Sequence, residues 1–232
     1  MKWVSRTHIG HVRATNQDAL LIQPGLYGVA DGMGGHKAGD IASRMAVLML
    51  GRVLEDAQPS EALLRGSLEE INELVYEQQA QDERLSGMGT TMTVIWEADD
   101  FVLLGHVGDS RAYLRRDGVL KQISEDHSMV NEMVRQGLLT KEMAARHPYR
   151  NVITRAIGTD LNVTPDILRL DKRKGDQWLI CTDGLTGYVS DEEIAAALNK
   201  LPMDDAAELL LNRALDLGGG DNVTFVITEV TE

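Results

Sequence analysis

Four aspartates, each followed by glycine, asparagine or serine, stand far apart in this chain: Asp31 in DGMGGH, Asp109 in VGDSR, Asp183 in CTDGLT and Asp221 in GGDNVT. Each reads as the end of a strand, where an apolar β-run breaks into a Gly-rich turn. An acidic residue placed there is held on rigid scaffold yet faces outward, which lets carboxylates from distant segments converge on one cation. A fold that satisfies all four must bring several strand ends to one place.

The rest of the chain supplies elements for such a fold. LLIQ and LYGVA, broken by Pro24-Gly25, read as two short strands ending at Asp31. Ile41, Met45, Leu48 and Met49 recur at helical spacing, and Leu64, Leu68, Ile71 and Val75 repeat that spacing after Pro59-Ser60. From Thr90 to Leu120 the pattern turns to β, with TTMTVIWE, FVLLGHVGD and RAYLRRDG read as an antiparallel meander. Asp117-Gly118 is an ordinary turn within it. The polar stretch at about 126–160 is helical only in fragments and is expected to be a surface flap. Strands resume at VTPDILRL and DQWLICT, helices are expected after Asp191 and across Ala207, Leu210, Ala214 and Leu217, and VTFVITEV is a strong final β-run. Strands flanked by helices, without strict βαβ alternation, predict an α+β fold with helices on both outer sheet faces. With no linker, repeat or low-complexity tract, residues 1–232 read as a single domain.

Composition narrows the partners. Thirty-six acidic and twenty-three basic residues give a formal charge of −13, which argues against nucleic acid, whose backbone calls for clustered Lys and Arg. One cysteine, Cys181, excludes an internal disulfide. Nothing at the first residues resembles a signal peptide, and the longest uninterrupted apolar stretch, Met45 to Leu50, is far below the roughly 20 residues that span a bilayer. The expectation is a cytoplasmic, monomeric protein without a membrane anchor.

Several phosphate chemistries are excluded. A cysteine phosphatase needs an arginine six residues after its nucleophile, and that position holds Gly187. G-x-S-x-G, the G-x-x-x-x-G-K-[ST] loop and His pairs at zinc spacing are absent, and one cysteine cannot build a thiolate zinc site. A carboxylate set remains, and oxygen-only ligation selects hard cations such as Mg²⁺ or Mn²⁺. Taken singly, each Asp-Gly or Asp-Asn pair is explained as well by turn chemistry.

The aspartates recur among further strings: RATNQD from Arg13 to Asp18, VADGMGGH from Val29 to His36, GMGTT from Gly87 to Thr91, VGDSRAYL from Val107 to Leu114, then EDHS, RNVITRAIG, CTDGL and GGDNVT. In this order and spacing, from about Thr7 to Thr228, the chain resembles bacterial members of the metal-dependent PPM, or 2C-type, protein phosphatases. The resemblance implies two mainly antiparallel β-sheets packed face to face with helices outside, a four-layer αββα sandwich, and a binuclear Mn²⁺ or Mg²⁺ centre at one end. It implies that Asp31 bridges the ions, that the Gly32 carbonyl adds a ligand to one, that Asp183 and Asp221 complete the other, and that Asp18 acts through water. Asp109 matches a third, weaker ion site.

By the same resemblance Arg13 holds the substrate phosphate, a task suited to a planar fork of donors; the alternative is a surface arginine on an edge strand. Asn16, Gln17 and Asn222 are read as orienting metal waters or, equally, as turn residues. The histidine that other members place two residues after the bridging aspartate is Met33 here. His36 is the nearest candidate for the leaving-group acid, although a helix start beside cations disfavours a protonated imidazole. His106 reads as a sheet residue and His127 as structuring the flap. The implied reaction is hydrolysis of phosphoserine or phosphothreonine in proteins by a metal-activated water, opposing a serine/threonine kinase. The competing reading is a non-catalytic relative that binds a kinase or phosphoprotein.

Overall fold

The chain opens with β1 (Lys2–His8), then a hairpin of β2 (Asp18–Gln23) and β3 (Leu26–Met33) turned at Pro24-Gly25. Helices α1 (Ala38–Leu54) and α2 (Glu61–Gln81) follow, then β4 (Gly89–Thr90), β5 (Met92–Glu97), β6 (Phe101–Val107), β7 (Arg111–Arg116) and β8 (Val119–Gln122). Two short helices, α3 (Met129–Arg135) and α4 (Lys141–Ala144), precede β9 (Asp166–Asp171) and β10 (Gln177–Cys181). The last elements are α5 (Asp183–Thr186), α6 (Asp191–Lys200), α7 (Met203–Asp216) and β11 (Val223–Glu229). This is a computed structural model, and it describes residues 1–34, 38–144 and 146–231.

The strands pair antiparallel into two sheets, one ordered β1-β11-β10-β7-β8 and the other β2-β3-β5-β6-β9 with β4 added to β3. Period-two alternation then sends each strand's side chains into two different apolar layers. Leu179 and Cys181 of β10 face α6 and α7 with Ile194, Ala207 and Leu210, whereas Trp178 and Ile180 meet Val29, Ile95 and Leu104 of the other sheet. On the far side, Met92, Val94 and Trp96 of β5 pack with Leu50, Leu64, Leu68 and Ile71 of α1 and α2. Both sheet faces are covered, which is why the central strands read as continuous apolar runs rather than as a polar and apolar alternation. The α+β expectation of two face-to-face sheets flanked by helices is what the structure shows.

Local chemistry sets the ends of the elements. Ser60 caps α2 by accepting from the Leu63 N–H, and Ser190 with Glu193 forms a reciprocal capping box at the start of α6. Asp117 and Gly118 have positive φ values of 52° and 78° and turn β7 into β8.

Three expectations are corrected. The stretch from Thr90 to Leu120 is not a meander: β5 and β6 pair in one sheet, while β7 pairs with β10 in the other. The chain crosses between sheets at Gly108-Asp109-Ser110, where Gly108 has a φ of 114° and a Cβ would lie 2.5 Å from the Thr91 side chain. The face of α1 is displaced by one residue: Ala42, Ala46, Val47 and Leu50 are buried, whereas Ile41 and Leu48 are exposed. Small side chains let that helix approach the sheet closely, so alanines mark its core stripe and the larger residues do not. Finally, Asp221 precedes a strand rather than ending one, and Asp183 opens the short helix α5. Strand β1 carries no strong pattern of its own and is held by pairing along its whole length with β11.

None of the helices among the described residues is long and apolar enough to cross a membrane. The corrected face of α1 gives a stability prediction. Leu50→Ala is expected to cost about 2–5 kcal/mol, and Leu48→Ala within about 0.5 kcal/mol, read as shifts of the urea midpoint.

Candidate active site

Five aspartates meet at one end of the sandwich. Asp18 opens β2 and lies opposite Asp31 in the β2–β3 register. Asp183 lies two residues after β10 and Asp221 two residues before β11, and those two strands are neighbours. Asp109 stands at the crossing after β6. The turn at Gly184 lies so close to the Asn222 carbonyl that a Cβ there would overlap it, which seats the Asp183 turn on the Asp221 turn.

Burial makes this arrangement electrostatically costly. Asp18 is pushed up to about 7, by desolvation first, against hydrogen bonds from Thr224 and Thr182 and with Asp183 and Asp221 adding repulsion. Asp31 is raised well above the usual carboxylate range by burial and then by Asp18, Asp183, Asp109 and Asp221. Asp109 is pushed up to about 8 by burial, then by Asp183 and Asp126. Asp183 is also raised by burial and by Asp221, with hydrogen bonding to Asp31 opposing. These groups are short of positive charge, and the buried Oδ1 of Asp18 has no hydrogen-bond partner.

Arg13 supplies part of what is missing. It sits in the loop after β1, not on a strand, and its Nη2 donates to Asp221 Oδ2 at 2.7 Å. Among the described residues no three His, Cys, Asp or Glu side chains converge on one point at cation-ligating distance, and Asp221 is turned toward Arg13. The donor set nevertheless fits a hard cation. It is all oxygen, it is crowded with negative charge, and it includes an orphaned buried carboxylate oxygen.

The loop from Ile9 to Gln17 is fixed by one buried side chain. Asn222 Oδ1 accepts from the Gln17 N–H at 2.8 Å, while Nδ2 donates to the carbonyls of Ile9 at 2.9 Å and Thr15 at 3.1 Å. Its side chain is thus used to hold the backbone that carries Arg13 and Asp18. Asn16 Oδ1 accepts from the Asp18 N–H at 3.1 Å and its Nδ2 reaches Thr7, as a turn residue does. The Gln17 carbonyl accepts from Gly32 N–H at 3.1 Å and from the Ser43 hydroxyl, tying this loop to β3 and α1. Glycine at 32 is dictated by packing: a Cβ there would collide with the Gly39 carbonyl in the first turn of α1 and lie 2.6 Å from the Gln17 carbonyl.

His36 lies outside the described residues. His106 is buried in β6 and lowered to about 4, chiefly by desolvation. One partner that motif reading left without a role, Thr182, emerges here, and the flap role read for His127 gains a definite contact. Thr182 Oγ1 donates to Asp18 Oδ2 at 3.0 Å, across the sandwich from β10 to β2. His127 and Gly108 are bonded reciprocally, His127 N–H to the Gly108 carbonyl at 2.7 Å and Gly108 N–H to His127 Nδ1 at 3.0 Å. The other ring nitrogen, Nε2, lies 2.9 Å from Arg155 Nη1 and 3.3 Å from Asp166 Oδ2. His127 therefore ties the segment bearing α3 and α4 to the turn that carries Asp109. A histidine after EDHS-type polar residues carries no periodic signal, so only the fold discloses this link.

Beside the aspartates opens a cavity of about 800 Å³. Asp109 and Asp183 form one end of its wall, and residues of α3, α4 and the segment after them form the other.

The chain's relatives agree with this geometry. A family model described as Protein phosphatase 2C matches residues 6–214. The chain is 40% identical over 235 residues to the serine/threonine protein phosphatase PstP of Mycobacterium tuberculosis, with all of this chain and 45% of that protein covered. It thus spans less than half of that relative's length. The serine/threonine phosphatase stp of Listeria monocytogenes is 37% identical, with 97% of this chain and 94% of that protein covered. The crystal structure of the PstP catalytic domain in complex with two manganese ions superposes with a TM-score of 0.91 at 38% identity, covering 100% of this chain and 98% of that one. With five aspartates gathered at one end of an αββα sandwich and a family model matching most of its length, the chain belongs to the protein phosphatase 2C family.

Proposed function

We propose that this chain is a metal-dependent protein serine/threonine phosphatase that uses two Mn²⁺ or Mg²⁺ ions, with a third, weaker site at Asp109. The observation that carries this reading is the convergence of buried and half-buried carboxylates at one end of the sandwich, with raised proton affinity and too little positive charge around them. The phosphatase names of the relatives and the two manganese ions in the PstP structure support it.

Asp31, the Gly32 carbonyl, Asp183 and Asp221 would hold the two ions, with Asp18 acting through water. Asn222 keeps Asp221 and the Arg13 loop in register. When bound, such a pair of divalent ions lowers the pKa of a water and offsets the charge that builds on phosphoryl oxygens. Arg13 exchanges its bond to Asp221 for two oxygens of the substrate phosphate, so the same guanidinium balances charge before and during turnover. The substrates are phosphorylated proteins, a serine/threonine kinase among them, and the enzyme works as a cytoplasmic monomer.

The direct test is Mn²⁺-dependent release of phosphate from a phosphothreonine peptide beside a phosphotyrosine control. Activity surviving exhaustive chelation would sink the proposal. Asp31→Asn is expected to lower kcat/KM by about 1,000-fold or more, the several kcal/mol of charge stabilisation that metal ions provide, with circular dichroism unchanged.

Asn222→Ala is expected to weaken Mn²⁺ binding about 10–100-fold, the usual effect of removing a partner that orients metal ligands, read by calorimetric titration.

The raised Asp18 gives a pH-dependent stability. Its folded value of about 7 exceeds the unfolded 3.8, so stability from this group is complete below the unfolded value and is lost as pH rises through about 7. In chelator at pH 8, Asp18→Asn is therefore expected to melt a few degrees above the parent protein, at roughly 2–4 °C per kcal/mol, with the gap closing toward pH 4. Equal melting at both pH values would show that Asp18 is not held at a cost.

A further inference from the structure

Four cations from β8, α3, α4 and the segment after α4 line the 800 Å³ cavity. Arg6, Arg13, Arg44, Arg84, Arg116 and Arg213 each have a carboxylate within 4 Å. Lys121, Arg135, Lys141 and Arg150 line the cavity and have neither an ion pair nor a side-chain hydrogen bond among the described residues. Lys2, Arg52, Arg146, Arg173, Lys174 and Lys200 are equally without an ion pair or side-chain hydrogen bond among the described residues, so what sets these four apart is that they gather around one cavity that opens beside the aspartates.

The carboxylates that line the cavity do not answer them. Asp126 is gripped by Arg111 at 2.9 and 2.7 Å and also accepts from Gln122, and Asp191 accepts from the Tyr113 hydroxyl at 2.9 Å. Asp109 and Asp183 belong to the catalytic cluster. Glu125 remains, one exposed acid facing four cations. The volume far exceeds what a single phosphate occupies and falls in the range of sites that enclose a whole ligand.

Resting on the phosphatase reading, we propose that this cavity is a subsite for a second anionic group on the substrate peptide, carboxylate or phosphate, held by Arg135, Lys141 and Arg150 while the scissile phosphate lies at the aspartates. The three residues come from α3, α4 and the segment after them, so the subsite is built by the polar segment and opens directly onto Asp109 and Asp183. Recognition is electrostatic and solvent-exposed, which makes it modest per contact and sensitive to salt. It acts on peptide affinity and leaves the chemistry of small phosphate esters untouched.

The test uses the Mn²⁺-loaded full chain with four substrates: a phosphothreonine peptide with neutral flanks, the same peptide with Asp and Glu flanks, a doubly phosphorylated version, and para-nitrophenyl phosphate. The anionic peptides are expected to show a lower KM, with kcat/KM about 5- to 20-fold above the neutral one, as two or three exposed ion pairs supply. Raising the salt should shrink the difference. The combined variant Arg135→Gln, Lys141→Gln, Arg150→Gln should lose the preference while turning over para-nitrophenyl phosphate as before, and the single variants serve should the combination melt early. Preference for only one anionic peptide identifies the group recognised. Equal kcat/KM for all peptides, or a preference that survives the triple variant, overturns the subsite. Absence of Mn²⁺-dependent turnover of para-nitrophenyl phosphate by the unmodified chain would instead overturn the phosphatase reading on which the subsite rests.

Discussion

Repulsion among crowded carboxylates organises this end of the molecule. Asp18 and Asp109 are buried and Asp31 and Asp183 half-buried, all within one another's fields, so desolvation and mutual repulsion raise the proton affinity of each. Such a cluster persists only on scaffold that cannot relax. The aspartates stand at the ends of hydrogen-bonded strands in two sheets, and the sheets are held face to face by a layer containing Tyr27, Ile95 and Trp178. The free energy of three apolar layers thus maintains a site that would fly apart as an isolated loop.

Polar side chains complete the restraint by holding backbone. Asn222 takes three backbone partners in the first loop, the Gln17 carbonyl collects Gly32 and Ser43, and Thr182 reaches Asp18 across the sandwich. His127 does the same for the Asp109 turn. Arg13 is the movable member, more than half exposed and bound to Asp221 by a single nitrogen. A rigid anionic floor with one mobile cation above it is a suitable receptor for divalent ions and a phosphate together.

Much of the fold was legible because local signals agreed with the global one. The Pro24-Gly25 and Asp117-Gly118 turns, the Leu64 to Val75 stripe and the Ser60 cap all stand where residue pattern places them. The α1 stripe misled because alanines, not large apolar residues, mark a close helix-to-sheet contact. The meander misled because a crossing between sheets and a hairpin use the same Gly-Asp-Ser vocabulary, and pairing is a non-local property. In the site, the aspartates announced themselves by recurring before glycine, asparagine or serine within ordered motifs. The Arg13 to Asp221 pair, 208 residues apart, and the His127 to Gly108 bond had no periodic or compositional trace. The unpaired cations of the flap were equally hidden, since pairing depends on which acids the fold brings near.

The central claim is that the carboxylate cluster is a receptor for divalent ions. Calorimetric titration of Mn²⁺ into chelator-stripped protein, run beside Asp31→Asn, tests it most directly. The account predicts two ions bound per chain together with a rise in melting temperature, and loss of both in the variant. No binding, or the same stoichiometry and melting shift in Asp31→Asn, would contradict it.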